Sequence, residues 1–157
     1  MSRAFTSEQQ NETGLELGER AVSAHRNLVT PEGLAAIDAE VARLRAELAK
    51  AEGEGDREKI ALFSRDLRYW NARRETAEVS VPEPDSDVVR FGMTVTIEDE
   101  DEVRRTWKIV GEDEADAAQG KISHVSPMAQ ALFGKKVGET GVVNDREWEI
   151  VALDTGH

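Results

Sequence analysis

Residues 30–51 read TPEGLAAIDAEVARLRAELAKA, and the spacing within that stretch decides how the fold begins. Leu34, Ile37, Val41, Leu44 and Leu48 recur at steps of 3, 4, 3 and 4, which is the a/d seam of a coiled coil. Asp38, Glu40, Arg43, Arg45 and Glu47 fall outside that seam. Thr30 is placed to cap the helix, Pro31 to fill its first position and Glu32 to put an acid at the positive end of its dipole. The pattern stops at Ala51, and Glu52-Gly53-Glu54-Gly55-Asp56 is predicted to be a five-residue turn. A second run follows, with Ile60, Phe63, Leu67 and Trp70 at 3, 4 and 3; its continuation reaches Arg74 and Ala77, so the stripe fades. The outer faces of both runs are charged and no third helix of similar quality follows. The spacing therefore predicts an antiparallel two-helix coiled coil over residues 30–79.

Working outward, residues 1–29 are rich in Ser, Glu, Gln and Asn and carry no apolar period. Such a segment cannot offset its own ordering entropy, and it reads as a mobile polar tail. Residues 80–87, with Pro82 and Pro84 among acids, read as a linker. From residue 88 to 157 the period changes to two: Phe91, Met93, Val95 and Ile97 alternate with smaller or polar residues. Further strands are expected around Trp107 and Ile109, at Ile122 and Val125, at 141–143 and at 148–152. Ser126-Pro127 opens a short helix that Gly134 ends. The fold class is α+β, a helical hairpin followed by a small antiparallel sheet with one short helix.

Composition narrows the chemistry. The chain has 157 residues, 32 acidic and 20 basic side chains, a net charge of −12 and no cysteine. Phosphate backbones and anionic membranes repel a surface of that sign. Thiol catalysis, disulfides and cysteine-based zinc sites are excluded. No apolar run approaches the length of a membrane span, and the first residues lack a secretory core, so a cytoplasmic protein is expected. No G-x-S-x-G turn is present, and His25, His124 and His157 are too scattered to form a metal set or a base with its orienter. Gly53-Glu54-Gly55 superficially resembles a phosphate loop, but it follows a helix rather than a strand and its acids would repel phosphate. Glu52, Glu54, Asp56 and Glu58 instead crowd hard oxygens of the kind Mg²⁺ accepts, at the end of the hairpin.

Val89-Arg90-Phe91-Gly92-Met93-Thr94-Val95-Thr96-Ile97 resembles the opening of the C-terminal domain of the Gre-type bacterial transcript cleavage factors. Ile109-Val110-Gly111-Glu112-Asp113-Glu114-Ala115-Asp116, Gly120-Lys121-Ile122-Ser123 and the block from Ser126 to Glu139 match in order, as does Thr30-Pro31-Glu32-Gly33-Leu34. The resemblance implies an N-terminal coiled coil, a C-terminal domain of FKBP-like fold, and RNA polymerase as partner. It implies docking at the rim of the polymerase secondary channel through Ser126, Pro127, Met128, Gln130 and Gly134. It implies, too, that the coiled coil presents the tip carboxylates Asp56, Glu58 and Glu54 to the polymerase Mg²⁺, so that backtracked RNA is cleaved by the polymerase. On that footing the chain is a monomeric regulator with no catalytic residue, metal or cofactor of its own, and no direct sequence-specific nucleic-acid contact. The family's tip carries D-x-x-E, whereas Gly55-Asp56-Arg57-Glu58-Lys59 brings the Glu one residue early. Residues 31–51 span only about 30 Å as a helix, shorter than the family's arms. Gln130 stands where a basic residue is usual. The alternative is a short-armed relative without cleavage activity, a channel-binding inhibitor or a protein of the nucleoside diphosphate kinase regulator type. An adaptor gripping another protein through the coiled coil is a further class, and a prolyl isomerase is rejected because fold alone does not carry function.

Overall fold

A computed structural model describes residues 18–156. The expectation of a mobile tail over residues 1–17, and the position of His157, lie outside the described residues. The described residues divide into two units: 18–24 with Ala35–Thr76, and His25–Leu34 with 77–156.

The helical unit holds most of α1 (Pro31–Glu54) and α2 (Arg57–Thr76). Ile37, Val41, Leu44 and Ala51 are buried along the predicted seam. Arg74 near the end of α2 pairs with Asp38 near the start of α1, which fixes the helices as antiparallel. The turn is tighter than the five residues expected. α1 continues through Gly53 to Glu54, and only Gly55, at φ +67°, adopts the left-handed conformation that ends a helix. A glycine inside a helix costs about 1 kcal/mol relative to alanine but does not break it, which is why Gly53 misled the reading. The extra residues lengthen α1 to 24, about 36 Å at 1.5 Å per residue. At the other end Arg73 is buried at 1% exposure and Arg74 is on the surface, so the inward stripe of α2 turns by one residue from the predicted position. A long arginine stem can occupy an apolar position that hydropathy denies it.

The tail expectation is corrected for residues 19 and 20. Glu19 accepts two bonds from the Arg68 guanidinium, at 2.7 and 2.6 Å, and Arg20 lies over the Tyr69 ring at 4.1 Å. These are charge contacts, and no apolar period announces them.

In the second unit, β1 (Leu28–Val29) pairs in parallel with β2 (Glu78–Val79). Asn27, Val29 and Thr30 are buried. Residues 27–29 are therefore structured rather than tail, and residues 30–34 and 77–79 belong here rather than to the hairpin unit. A five-stranded sheet follows, built from β3 (Thr94–Asp99), β4 (Arg104–Val110), β5 (Lys121–Ser123), β6 (Thr140–Val143) and β7 (Arg146–Asp154), in the order β5-β4-β3-β7-β6. Four strands pair antiparallel as expected, but β5 runs parallel to β4, so the sheet is mixed. The loop from Gly111 to Gly120 makes this possible by carrying the chain back through two single 3-10 turns. Val95, Ile97, Ile109, Trp148 and Ile150 from the sheet pack with Val89, Phe91 and with Ala129 and Leu132 of α3 (Pro127–Leu132).

One carboxylate organises the start of α1. Thr30 caps the helix, its Oγ1 accepting from the Gly33 N–H at 2.9 Å. Glu114 accepts from the Thr30 N–H at 3.0 Å, from the Thr30 hydroxyl, and from the Gly111 N–H at 3.1 Å. A Cβ on Gly33 would lie 2.2 Å from that carboxylate, so any larger residue there must displace the end of the Glu114 side chain from its bonds. Beside it, the N–H groups opening α1 and the Lys108 ammonium hold the Glu32 carboxyl below its usual range. At the β3–β4 turn the Asp99 carboxylate accepts from the Asp101 and Val103 N–H groups, both at 2.9 Å, and from Arg146.

Two glycines of one helix should respond oppositely to alanine. Gly33→Ala should destabilise the protein by about 1–2 kcal/mol, because displacing Glu114 outweighs the gain in helix propensity. Gly53→Ala meets nothing within 4 Å and should stabilise by up to about 1 kcal/mol. Denaturant unfolding of both variants checks the pair of signs. Asp99 predicts a pH effect: hydrogen bonds from Val103 and Arg146 hold its carboxyl below the ordinary value near 4. Its stabilisation is complete above that value and is lost as pH falls through the lower folded one. The stability gap between the native chain and Asp99→Asn, followed by thermal unfolding, should be constant from about pH 5 to 8 and shrink below about pH 4.

Candidate functional site

The candidate residues lie in two groups, one in each unit. In the helical unit, Glu54 ends α1, Asp56 follows Gly55, and Glu58 stands in the first turn of α2. The α1–α2 turn thus gathers the three acids, with Glu52 one turn back. Glu52, Glu54 and Glu58 are exposed and Asp56 is half-buried. Asp56 has structural work of its own. Its carbonyl accepts the first bond of α2 from the Ile60 N–H at 2.9 Å, and its Oδ1 accepts from the Lys59 N–H at 3.2 Å, so it is the N-cap of α2. The Lys59 ammonium lies 3.9 Å from Oδ2. One Asp56 oxygen therefore serves the helix, while Glu54 and Glu58 carry charges that the fold leaves in solvent. Among the described residues no three His, Asp or Glu side chains converge closely enough to hold a metal ion by themselves.

In the second unit the predicted docking residues form one continuous segment. Ser126 caps α3 by accepting from the Ala129 N–H at 3.3 Å, and Pro127 fills the first helical position, as the sequence suggests. Ala129 and Leu132 face the core, Met128 packs against its edge, and Pro127, Gln130 and Gly134 are exposed. Gln130 donates from Nε2 to the His124 carbonyl at 2.8 Å, tying α3 to the end of β5. The Gly134 N–H donates to the Val89 carbonyl at 3.0 Å, which anchors the far end of the segment. His124 itself is buried, its ring edge-on to Phe91 at 5.5 Å, and His25 is exposed. The sequence reading passed over Gln130 as an anchor, because no spacing rule links an amide to a carbonyl six residues back. It also passed over Glu114 and the Glu19–Arg68 pair. No described helix is long and apolar enough to cross a membrane.

The sequence is similar to those of known proteins. A family model described as "Transcription elongation factor, GreA/GreB, C-term" matches residues 83–155. The transcription elongation factor GreA of Bradyrhizobium diazoefficiens is 34% identical over 142 residues, covering 74% of this chain and 87% of that protein. GreA of Hyphomonas neptunium is 38% identical over 149 residues, covering 80% and 95%. Among solved structures, the GreA factor homolog 1 (Gfh1) of Thermus thermophilus is 22% identical, with a TM-score of 0.40, over 82% of this chain and 99% of that one. On the strength of these full-length relatives, the chain belongs to the GreA/GreB family of transcription elongation factors, regulators rather than enzymes.

Proposed function

We propose that this protein binds RNA polymerase at its secondary channel, docking through the Ser126–Gly134 segment, and offers the acids of its hairpin turn to the polymerase active centre. The observation that carries the reading is the turn itself: Glu54, Asp56 and Glu58 gathered where α1 gives way to α2. Two long helices are an expensive way to hold a few carboxylates unless those carboxylates must reach something. The acids would add oxygen ligands to a Mg²⁺ that the polymerase holds, and would orient water for hydrolysis of backtracked RNA. An oxygen-only donor set suits that ion, which on this reading the partner would supply.

A second reading is favoured by the Asp56 cap and the Lys59 ammonium beside it. If those contacts hold Asp56 away from the ion, the protein occupies the channel and regulates elongation without promoting cleavage.

A single-round transcript cleavage assay on stalled elongation complexes separates the two readings. Cleavage should require the native chain and be lost, by at least about tenfold, in Asp56→Asn with Glu58→Gln. Asparagine caps a helix as well as aspartate does, so helix content and melting should not change and the loss reports on charge alone. Native protein that binds polymerase without cleavage establishes the channel-occupying reading. Native protein that fails to bind polymerase overturns both.

A further inference from the structure

The five-stranded sheet ends differently on its two sides. Beyond β5 the chain covers its own edge: Asp116 and Lys121 exchange both backbone bonds, at 2.9 and 3.0 Å. At the other side, no described strand pairs with β6 beyond its bonds to β7. Gly138, at φ +94°, donates to the Ile150 carbonyl at 2.8 Å, and the Ile150 N–H donates to the Glu139 carbonyl at 2.9 Å. This bulge sets which residues of β6 turn toward β7. The two-residue turn Asn144-Asp145, both at positive φ, closes the hairpin between Val143 and Arg146. Every second residue of an antiparallel strand bonds its neighbour, so Gly141 and Val143 bond β7 while the backbone groups of Thr140 and Val142 face outward. Gly141 is buried, whereas Thr140 and Val142 are exposed, Val142 at 63%. Neither a lysine nor a proline stands between Thr140 and Val143 to blunt that edge.

We propose that the β6 edge captures an extended segment of another protein, carrying basic residues at alternate positions, as an added strand. Charge on the same face selects that occupant. Beside Thr140, a hollow of about 120 Å³ is lined by Glu98, Asp99, Glu100, Glu147 and Glu149. Arg104 pairs with Glu98 at 2.9 Å and Arg146 with Asp99, while Glu100, Glu147 and Glu149 have no ion-pair partner among the described residues. Glu149 stands opposite Thr140 and Glu147 opposite Val142. An added strand would lie about 5 Å from β6 and about 10 Å from β7. A Lys or Arg beside Thr140 then reaches over that small side chain to Glu149. One beside Val142 lays its apolar stem on the valine and its charge against Glu147. Backbone bonds from Thr140 and Val142 supply the hold, and the acids supply the selection. A second copy of this chain would bring the same unpaired acids, and residues 1–17 carry three acids against one base, so neither complements the edge. The proposal does not rest on the polymerase reading.

The probe is the peptide acetyl-Lys-Val-Lys-Val-Lys-amide, titrated into the full chain and followed by NMR amide hydrogen exchange. At saturation the Thr140 and Val142 N–H groups should exchange at least about fivefold more slowly. Two peptides test the two halves of the proposal on the native protein. Acetyl-Glu-Val-Glu-Val-Glu-amide should not bind, and equal binding overturns the selection for basic residues. The lysine peptide methylated at every backbone nitrogen keeps its charge and should not slow exchange; equal slowing overturns strand pairing. Glu147→Lys with Glu149→Lys changes two exposed side chains and should weaken the lysine peptide by about tenfold. An unchanged native affinity in that variant overturns the assigned acids. Failure of the lysine peptide to bind the native chain, or binding that leaves Thr140 and Val142 exchanging as before, overturns the proposal. Exchange at these two positions that is already slow without peptide, and slows further as protein concentration rises, makes a second copy the occupant and overturns it as well.

Discussion

The Glu114 carboxylate is the contact on which the second unit depends most. It accepts from both donors of Thr30 and from the Gly111 N–H, and so ties its own loop to a residue 84 positions earlier in the chain. Without it, the N–H of Thr30, a buried residue, would lose its acceptor, and an orphaned buried donor costs about 1–3 kcal/mol. The same carboxylate lies against Gly33, where a Cβ would displace it, and stands beside the close approach of the Leu28 carbonyl to Gly111. Thr30, freed to donate its hydroxyl to Glu114, still accepts from Gly33, so one hydroxyl serves both the helix start and its anchor.

Acids are used elsewhere in the same way. Asp99 closes the β3–β4 turn, Asp116 caps a 3-10 turn by accepting from the Ala118 N–H, Asp56 caps α2, and Glu139 accepts from the Lys136 N–H. In each case a carboxylate meets a backbone donor that the local geometry leaves without an acceptor. The net charge of −12 is thus partly an account of how this chain ends and begins its elements. Reading every acid as solvated surface overstates the repulsive field and understates the order in the loops.

The parts of the fold legible in the sequence were those carried by period. The seam from Leu34 to Leu48 and the alternation from Phe91 to Ile97 both report burial directly, because a helix or strand presents the same face at fixed steps. The hidden parts were carried by single polar contacts between distant residues. Glu114 with Thr30, Glu19 with Arg68, and the short β1–β2 pairing have no period, and two-residue strands are too brief to show one. The parallel placement of β5 was hidden for a related reason: a short return loop without a helix suggests a hairpin, and only the internal bonding of residues 111–120 says otherwise. For the candidate site, composition and spacing pointed to the carboxylates of the turn, and the chain's relatives supplied the context. The capping role of Asp56 depends on where α1 stops, which Gly53 obscured.

That capping role bears on how a tip of this kind can work. An N-cap aspartate commits one oxygen to the helix it begins, and in return the helix holds the carboxylate in one orientation. A side chain on a flexible loop would lose conformational freedom on meeting a metal ion, whereas one already fixed by its cap has lost it in folding. Glu54 and Glu58 are free of such bonds and exposed, so under the proposed function they would adjust to an ion whose position the partner sets. A turn that combines one fixed carboxylate with two adaptable ones can therefore present a defined point of contact and still complete a ligand shell it does not itself define.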